Sequence, residues 1–295
     1  MKTHMSMIYS TISLKGKTVA ITGSTGGLGV EICHHIAKLG GNLIFINRNL
    51  PRSNKLKHQL EEIYPNIKIE IILSDLSSIQ STKQAVEILK EKHIDYLILN
   101  AGIYAVPLHK TDSGYNNIFS TNFLSHYYMV KELLSSIKQI KGKIVVVGSI
   151  AHNYSKLDVG DVDFSTRKKH SKVYGNSKRF LMFSLMELLK NETDISFSIV
   201  HPGVTFTNIT NHYPKFIYTL IKYPMKIMFP SPKKASLHII EGLLKNTPYQ
   251  HWIGPKILSV WGNPKLSKLK TCKQEESTKI YKIAENIYKN LKNSD

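Results

Sequence analysis

The glycine-rich run TGSTGGLG at residues 22–29 constrains the fold more than any other segment of the chain. It follows a strand-like segment, 17–21, and leads into an amphipathic helical pattern. In this context Gly23 permits a tight turn, Gly27 lets the backbone approach a pyrophosphate, and Gly29 lets the helix pack closely on the strand. The N–H groups that begin such a helix can bind phosphate. A flexible turn needs only one or two glycines, so the run predicts a dinucleotide-binding loop.

The rest of the chain alternates segments rich in β-branched residues with helical patterns. The strand-like segments are short apolar runs, as expected for strands that are buried on both faces. This order predicts an α/β fold, with a single Rossmann-type, doubly wound parallel sheet and helices on both faces, in one domain that spans 1–295. The predicted strands are 18–22, 43–47, 67–73, 96–99, 143–148, 195–200 and 250–253, and the predicted helices are 27–39, 51–64, 79–92, 114–137, 174–190, 232–245 and 275–291.

Composition excludes several classes of protein. Cys33 and Cys272 are the only cysteines, so the sequence predicts no disulfide framework and no metal site of zinc-ligand spacing. Residues 1–17 lack the apolar core of a signal peptide, and no segment has the apolar length of a transmembrane helix. We therefore expect a cytoplasmic protein, with peripheral contact at a membrane surface as an alternative.

The formal net charge of +19 raises the alternative of nucleic-acid binding. The positive charge is concentrated in 195–274, where eleven lysines accompany a single acid, Glu241, and it overlaps a basic C-terminal extension at 255–295. The chain has no recognised nucleic-acid-binding motif, and charge alone gives binding without sequence specificity. We therefore expect no specific nucleic-acid partner.

In an open parallel sheet the functional residues follow the carboxyl ends of the strands. Arg48 follows the second predicted strand, at the position where a free ribose 2′-hydroxyl usually meets a carboxylate. Its guanidinium is suited instead to a 2′-phosphate, which favours NADP(H) over NAD(H). The alternative is that Arg48 is a solvated loop residue. Asp75 follows the third strand and either accepts from an adenine amino group or caps the next helix. The small residues 100–102, Asn-Ala-Gly, let the backbone pass close to a ribose; the alternative is a plain turn, which would have a similar sequence. Ser149 and the triplet 201–203, His-Pro-Gly, follow the next two strands.

Tyr174 and Lys178 are spaced i, i+4 near the start of a predicted helix, so their side chains share a face. A lysine cation beside a phenol stabilises the phenolate and lowers its pKa, which makes tyrosine usable as a proton donor and acceptor. The spacing alone is uninformative, because four other pairs repeat it. These pairs are Tyr64/Lys68, Tyr127/Lys131, Tyr218/Lys222 and Tyr288/Lys292. Position distinguishes Tyr174, which alone lies between the strand ends at Ser149 and 201–203.

Together, these motifs resemble those of the classical short-chain dehydrogenase/reductase family. The matching segments extend from 22 to about 207 and include TGSTGGLG, SDL, NAG, STNFLSH, YGNSK and HPGVTFT. The segment GSIAH at 148–152 is similar to its equivalent in the retinol-dehydrogenase-like branch. Ser149 precedes Tyr174 by 25 residues, a longer interval than in many family members. The resemblance implies an NAD(P)-dependent oxidoreductase that interconverts an alcohol and an aldehyde or ketone.

The same resemblance implies a catalytic tetrad of Asn122, Ser149, Tyr174 and Lys178. Tyr174 would exchange a proton with the substrate oxygen, which Ser149 would hold, while a hydride passes between the substrate carbon and the nicotinamide. Lys178 would bond the nicotinamide ribose and tune Tyr174, and Asn122 would position a water in a proton relay. Gly175 is a departure, since a better helix former is expected there. The implied cofactor-binding residues are Thr22, Gly23, Ser24, Gly27, Leu28, Gly29, Arg48, Asp75, Leu76, Asn100, Ala101, Gly102, Tyr174, Lys178, Pro202, Gly203, Val204 and Thr207.

Segment 204–231 occupies the place of the family's substrate lid. Its core, FIYTLIKYPMKIMF at 216–229, is rich in aromatic residues and Met but is interrupted by Lys222, Pro224 and Lys226. Fourteen such residues cannot span a bilayer. We expect either an apolar cover over the pocket or an interfacial element whose lysines meet anionic lipid, and both imply a lipophilic or bulky substrate. Family members are often dimers or tetramers, so the resemblance also implies a homo-oligomer.

The alternative from a different class is a catalytically idle protein that senses the cofactor or binds a partner on the same fold. The intact set of Asn122, Ser149, Tyr174 and Lys178 argues against it, because a sensor has no need of an acid/base pair. The sequence therefore favours an enzyme that acts on a small-molecule alcohol or carbonyl compound.

Overall fold

The computed structural model describes residues 12–204 and 230–293, which form one eight-stranded sheet. The strands are β1 (Thr18–Thr22), β2 (Asn42–Asn47), β3 (Ile69–Leu73), β4 (Tyr96–Leu99), β5 (Lys143–Val147), β6 (Ser196–Val200), β7 (His251–Ile257) and β8 (Trp261–Lys268). Their order is β3-β2-β1-β4-β5-β6-β7-β8. Strands β1 to β7 pair in parallel, and β8 pairs antiparallel with β7. The predicted doubly wound α/β sheet is confirmed, and only its last strand departs from the parallel arrangement.

Helices cover both faces of the sheet. They are α1 (Gly27–Lys38), α2 (Leu50–Ile63), α3 (Ile79–Lys90), α4 (Ser125–Gln139), α5 (His170–Leu189), α6 (Pro232–Leu244) and α7 (Gln274–Lys292). A short helical turn, Asn117–Phe119, and a π-helical segment, Ser120–Leu124, lead into α4, and a 3₁₀ helix, Ile150–Tyr154, follows β5. Helices α3, α4, α5 and α7 share one hydrophobic core, and α1, α2 and α6 share the other.

Each central strand contributes apolar side chains to both hydrophobic cores. In β5, Ile144 and Val146 belong to one core, and Val145 and Val147 belong to the other. Successive side chains of a strand point to opposite faces, so a strand that is covered on both sides needs an unbroken apolar run. This requirement explains why the central strands could be identified from the sequence.

Three predicted boundaries are wrong by three or more residues, and one strand was not predicted; strand β7 ends at Ile257 rather than at 253. Helix α5 begins at His170 rather than at 174, and the helix predicted from 114 begins at Asn117. Strand β8, of sequence WGNPKLSK, is largely exposed at the edge of the sheet. An edge strand tolerates proline and polar residues because it buries little, so β8 carries no apolar pattern.

The predicted lid falls mostly outside the described residues, since 205–229 are not among them, and Thr207 lies there as well. Within the described ranges, no helix has both the length and the apolar character needed to cross a membrane.

Candidate active site

The glycine loop after β1 forms a tight cradle at the start of α1. Gly23 has φ +69°, and a Cβ built on it would lie 2.9 Å from the Ala101 Cα. A Cβ on Gly29 would lie 2.2 Å from the Gly23 carbonyl oxygen. No described side chain caps the N-terminus of α1 at Gly26, so its first N–H groups are available to an anion. The loop therefore fits the pyrophosphate of a dinucleotide, as the sequence predicts.

Asn47, at the end of β2, holds this loop in place. Its Nδ2 donates to Ser24 Oγ at 2.6 Å and to Ser53 Oγ at 2.9 Å, and its Oδ1 accepts from the Ser24 amide at 3.0 Å. Ser24 is fully buried, so its side chain shapes the loop from behind. The sequence predictions gave Asn47 no role, although its place directly before Arg48 was the available indication.

Arg48 is exposed at the carboxyl end of β2. It makes no hydrogen bond or ion pair with any described residue, and the first turn of the following helix, α2, carries no acid. The guanidinium is therefore available to an anionic ligand, and no carboxylate from that turn competes for it. The other residues predicted around the loop, Gly27 and Leu28, begin α1.

Asp75 follows β3 but does not cap the next helix. Its Oδ1 accepts from the Ser77 amide at 2.9 Å and from the Ser77 hydroxyl at 2.7 Å. Ser78 is the N-cap of α3, and Asp112 accepts from the first backbone N–H groups of that helix. The capping alternative for Asp75 is therefore wrong, while its contact with adenine stays a prediction. Leu76 is buried in the core beside α3.

The turn after β4 is bonded directly to the end of β1. The Thr22 hydroxyl accepts from the amides of Asn100 and Ala101, both at 3.0 Å. The Asn100 Nδ2 donates to the carbonyl oxygens of Thr22 at 3.0 Å and Gly23 at 3.1 Å. The turn and the glycine loop consequently form one rigid surface beside the expected nucleotide.

Asn122 lies in the π-helical segment Ser120–Leu124 and is fully buried. Its side chain accepts from the Ile103 amide at 2.8 Å and donates to the Ile103 carbonyl at 3.0 Å and to Ser177 Oγ at 3.0 Å. A π-helical turn often marks a functional site because the extra residue redirects a side chain out of the regular ladder. Here it ties the turn after β4 to α5, which carries Tyr174.

Lys178 is almost fully buried behind the turn after β4. Its Nζ donates to the Val147 carbonyl at 2.9 Å. A Cβ built on Gly102 would lie 3.5 Å from this Nζ and 3.4 Å from Asn122 Oδ1, so Lys178 and Asn122 meet at Gly102. Burial lowers the pKa of Lys178 to about 8.

Tyr174 forms a side-chain hydrogen bond with Ser149, and the Tyr104 ring packs edge-on against it at 5.2 Å between centroids. Burial raises the pKa of Tyr174 to about 12; the Ser149 bond opposes this shift and Tyr104 adds to it. The i, i+4 spacing predicts instead that Lys178 lowers this pKa. That expectation is wrong for this structure, because Lys178 bonds to Val147 and burial dominates at Tyr174. The sequence predictions also missed Tyr104, whose only indication was its place just after 100–102.

Gly175 has a packing role that helix propensity does not reveal. A Cβ built on it would lie 2.2 Å from the Ala151 carbonyl oxygen and 3.0 Å from Ser155 Oγ. The 3₁₀ helix Ile150–Tyr154 therefore packs directly on the backbone of α5. This close approach brings the segment that begins at Ser149 up to Tyr174.

The segment after β6 is fixed by the hairpin of β7 and β8. The buried ring of His201 has Nε2 3.0 Å from the Ser259 carbonyl and stacks on Trp252 at 4.9 Å. Gly203 has φ +88°, and a Cβ on it would lie 2.9 Å from the Val260 carbonyl oxygen. Pro202 is buried and Val204 is half-buried beside it. All predicted site residues except Thr207 thus lie in the described part of the chain.

Comparisons with known proteins identify the family to which the sequence is similar. Residues 17–216 match the family model of the short chain dehydrogenases. The chain is 31% identical to the short-chain dehydrogenase TIC 32 A, chloroplastic, of Brassica napus over 223 residues, which are 70% of this chain and 69% of that protein. It is 29% identical to retinol dehydrogenase 13 of Homo sapiens over 209 residues, which are 69% of this chain and 63% of that protein.

The fold is similar to that of a short-chain dehydrogenase from Sphingobium yanoikuyae whose structure was solved in complex with NADPH. The TM-score is 0.59 at 22% sequence identity, and the match covers 77% of this chain and 84% of that one. At this identity the similarity shows a shared fold.

Proposed function

The chain belongs to the short-chain dehydrogenase family, in its retinol-dehydrogenase-like branch, and we propose that it is an NADP(H)-dependent oxidoreductase acting on a lipophilic alcohol or carbonyl compound. The family establishes an enzyme that interconverts CH–OH and C=O groups with a nicotinamide nucleotide. The observation that carries the proposal is the hydrogen-bonded pair of Ser149 and Tyr174, beside Lys178 and at the same edge of the sheet as the glycine loop.

The residues of the site have distinct roles in carbonyl reduction. A bound nicotinamide nucleotide supplies the hydride. Tyr174 is neutral at physiological pH because its pKa is about 12, so its hydroxyl can donate a proton to the substrate oxygen. The Ser149 hydroxyl holds that oxygen next to Tyr174. Lys178, with a pKa of about 8, is mostly protonated at pH 7 and lies at Gly102, where it can bond the nicotinamide ribose.

The preference for NADP(H) rests on the carboxyl end of β2. Arg48 is exposed there without a described partner, and the first turn of α2 has no acid. A guanidinium can bind the 2′-phosphate with two parallel hydrogen bonds, whereas a free 2′-hydroxyl needs an acceptor at this position.

A lipophilic substrate is supported by the apolar residues beside the tetrad. Ile103, which is bonded to Asn122, packs with Val106 against Phe164 and Val173. A similar protein is named for retinol, a lipophilic alcohol. The predicted lid, the peripheral membrane contact through 204–231 and the homo-oligomer stay predictions. The cytoplasmic location also stays a prediction, since one similar protein is named as chloroplastic.

The role of Tyr174 can be tested by Tyr174→Phe, which removes only the hydroxyl. We expect kcat to fall by at least about 100-fold, because proton transfer by a positioned side chain contributes about 10²–10⁴-fold. The assay measures reduction of linear aldehydes by NADPH, followed by the nicotinamide absorbance. If the site is lipophilic, kcat/KM should rise with the chain length of the aldehyde. The Kd for NADPH should stay within about twofold of the wild-type value, because no nucleotide-binding backbone is altered.

The matched control is Tyr64→Phe. Tyr64 also has a lysine four residues later, but it lies at the C-terminus of α2, in a different element from the tetrad residues. This variant should retain wild-type turnover. Substantial activity in Tyr174→Phe, or an equal loss in Tyr64→Phe, would refute the assignment.

A further inference from the structure

His126, the last residue of the STNFLSH segment, connects the catalytic and nucleotide-binding halves of the site, although it is neither in the predicted tetrad nor among the predicted cofactor-binding residues. It lies in the first turn of α4, four residues after Asn122, and is fully buried. Its Nδ1 is 3.1 Å from the Asn122 carbonyl oxygen, and its Nε2 is 2.9 Å from the Thr22 hydroxyl. One imidazole ring therefore spans the distance between the π-helical segment and the end of β1.

The hydrogen-bond network fixes the tautomer of this ring. The Thr22 hydroxyl oxygen already accepts from two backbone amides, those of Asn100 and Ala101, so its hydrogen must go to another acceptor. His126 Nε2 is 2.9 Å away, whereas the Ile98 carbonyl is 3.5 Å away. Nε2 is therefore the acceptor, and Nδ1–H donates to the Asn122 carbonyl. In the other tautomer a bare Nδ1 would face that carbonyl oxygen, acceptor against acceptor.

The ring is also held neutral. Burial lowers the pKa of His126 to about 3, and the nearby charge of Lys178 acts in the same direction, against the bond to Asn122. A doubly protonated ring would direct a second donor at the Thr22 hydroxyl, whose lone pairs are already occupied. Neutral His126 is thus the species present throughout the pH range of an activity assay.

These bonds close a circuit around the turn after β4. Thr22 holds the turn at Asn100 and Ala101, Asn122 holds it at Ile103, and His126 joins Thr22 to Asn122. The residue at the centre of the circuit, Gly102, faces Lys178 Nζ. The position of the turn against Lys178 therefore depends on both ends of the imidazole bridge.

We propose that His126 is a positioning residue that couples the nucleotide-binding turn at 100–102 to the tetrad residue Asn122. It touches neither substrate nor cofactor and acts through Thr22 and Asn122. The proposal rests on the proposed function for its turnover readout, while nucleotide binding and the tautomer are measured independently of turnover.

Three substitutions separate the two ends of the bridge. The amide of His126→Gln reaches the position of Nε2, so it keeps the bond to Thr22 and loses the bond to Asn122. The shorter amide of His126→Asn reaches the position of Nδ1, so it keeps the Asn122 bond and loses the Thr22 bond. His126→Leu fills the volume and removes both bonds.

The expected results follow from which bond is lost. His126→Asn and His126→Leu should weaken NADPH binding about fivefold, measured by fluorescence titration, because the turn loses its support at Thr22. His126→Gln should keep the wild-type Kd and lower kcat about fivefold at saturating NADPH. The control is His35→Gln, which replaces a buried, neutral histidine of α1 outside the circuit. It should lower stability and leave Kd and kcat per folded molecule unchanged.

A merely structural role predicts a different pattern, in which all three His126 variants lose stability while Kd and kcat per folded molecule match those of His35→Gln. That pattern would overturn the proposal.

The wild-type protein gives a test that does not depend on the folding of a variant. In spectra of ¹⁵N-histidine-labelled protein, the resonances of His126 should show a neutral ring protonated at Nδ1 between pH 5.5 and 8. A ring protonated at Nε2, or one that titrates in this range, would refute the coupling. Absence of turnover with every carbonyl compound would contradict the proposed function and leave the Kd and tautomer results to decide the role of His126.

Discussion

Gly175→Ala sets two physical effects against each other at the centre of the site. Inside a helix alanine is favoured over glycine by about 1 kcal/mol, so propensity alone predicts a more stable protein. The new Cβ, however, would lie 2.2 Å from the Ala151 carbonyl oxygen, a distance that real Cβ atoms do not adopt. Helix α5 and the segment Ile150–Tyr154 would have to separate by almost 1 Å. Overpacking of this kind costs about 3 kcal/mol when backbone must move, which leaves a net loss of about 2 kcal/mol.

The displacement should reduce activity more than stability. The segment that moves begins at Ser149, and a shift of about 1 Å between catalytic groups can cost about 100-fold in rate. Urea unfolding, kcat at saturating NADPH and the Kd for NADPH should be measured on the same preparation, and Kd should stay near the wild-type value. Gly26→Ala is the control for stability, because its Cβ would lie 3.4 Å from the nearest atom outside its neighbours. A Gly175→Ala protein that is more stable than wild type and fully active would refute the reasoning.

Two further predictions concern the cofactor and pH. Arg48→Asp should raise the ratio of kcat/KM with NADH to kcat/KM with NADPH by at least about tenfold, because the carboxylate repels the 2′-phosphate and accepts from a free hydroxyl; an unchanged ratio would identify Arg48 as a solvated loop residue. Burial lowers the pKa of four histidines, to about 4 in His35 and His152 and to about 3 in His126 and His201. Below pH 6.5 the unfolded chain binds protons that the folded chain does not, so stability is full above that pH and falls toward pH 4. Between pH 7.5 and 5.5 each histidine should remove about 1.4 kcal/mol of the free energy of unfolding, measured in urea, and equal stabilities at the two pH values would contradict the buried neutral rings.

The parts of the fold that were predictable are those in which burial on both faces imposes a sequence pattern. The central strands could be identified because each must be apolar at successive positions, and the candidate site residues could be chosen because strand ends in a parallel sheet converge. Strand β8 lacked such a pattern because it is exposed at the sheet edge. Its pairing depends on β7, and no local feature of WGNPKLSK requires it.

The parts of the site that were not predictable depend on contacts between distant segments. Gly175 looks like a weak helix position until Ala151, 24 residues earlier, is placed against it. The i, i+4 spacing of Tyr174 and Lys178 predicts a shared helix face. It does not show whether burial of the phenol or the charge of the Lys178 ammonium has the larger effect on the pKa of Tyr174. In the structure burial prevails, and the pKa of Tyr174 rises. Position between the strand ends, together with the spacing, thus points to Tyr174 and Lys178 as the proposed reactive pair, whereas the protonation state of Tyr174 depends on the surrounding fold.

The C-terminal residues support the site although they follow the segment that matches the family model. Arg179, next to Lys178, is buried; its Nε and Nη2 bond to Glu276 in the first turn of α7, and its Nη1 donates to the His152 carbonyl at 3.0 Å. Glu276 also accepts from the Leu157 amide at 2.9 Å. A buried ion pair contributes little net stability, because desolvation offsets the attraction of the charges. Its main effect here is orientation: it fastens α7 to the segment that follows Ser149, so α7 supports the segment that begins at a proposed catalytic residue.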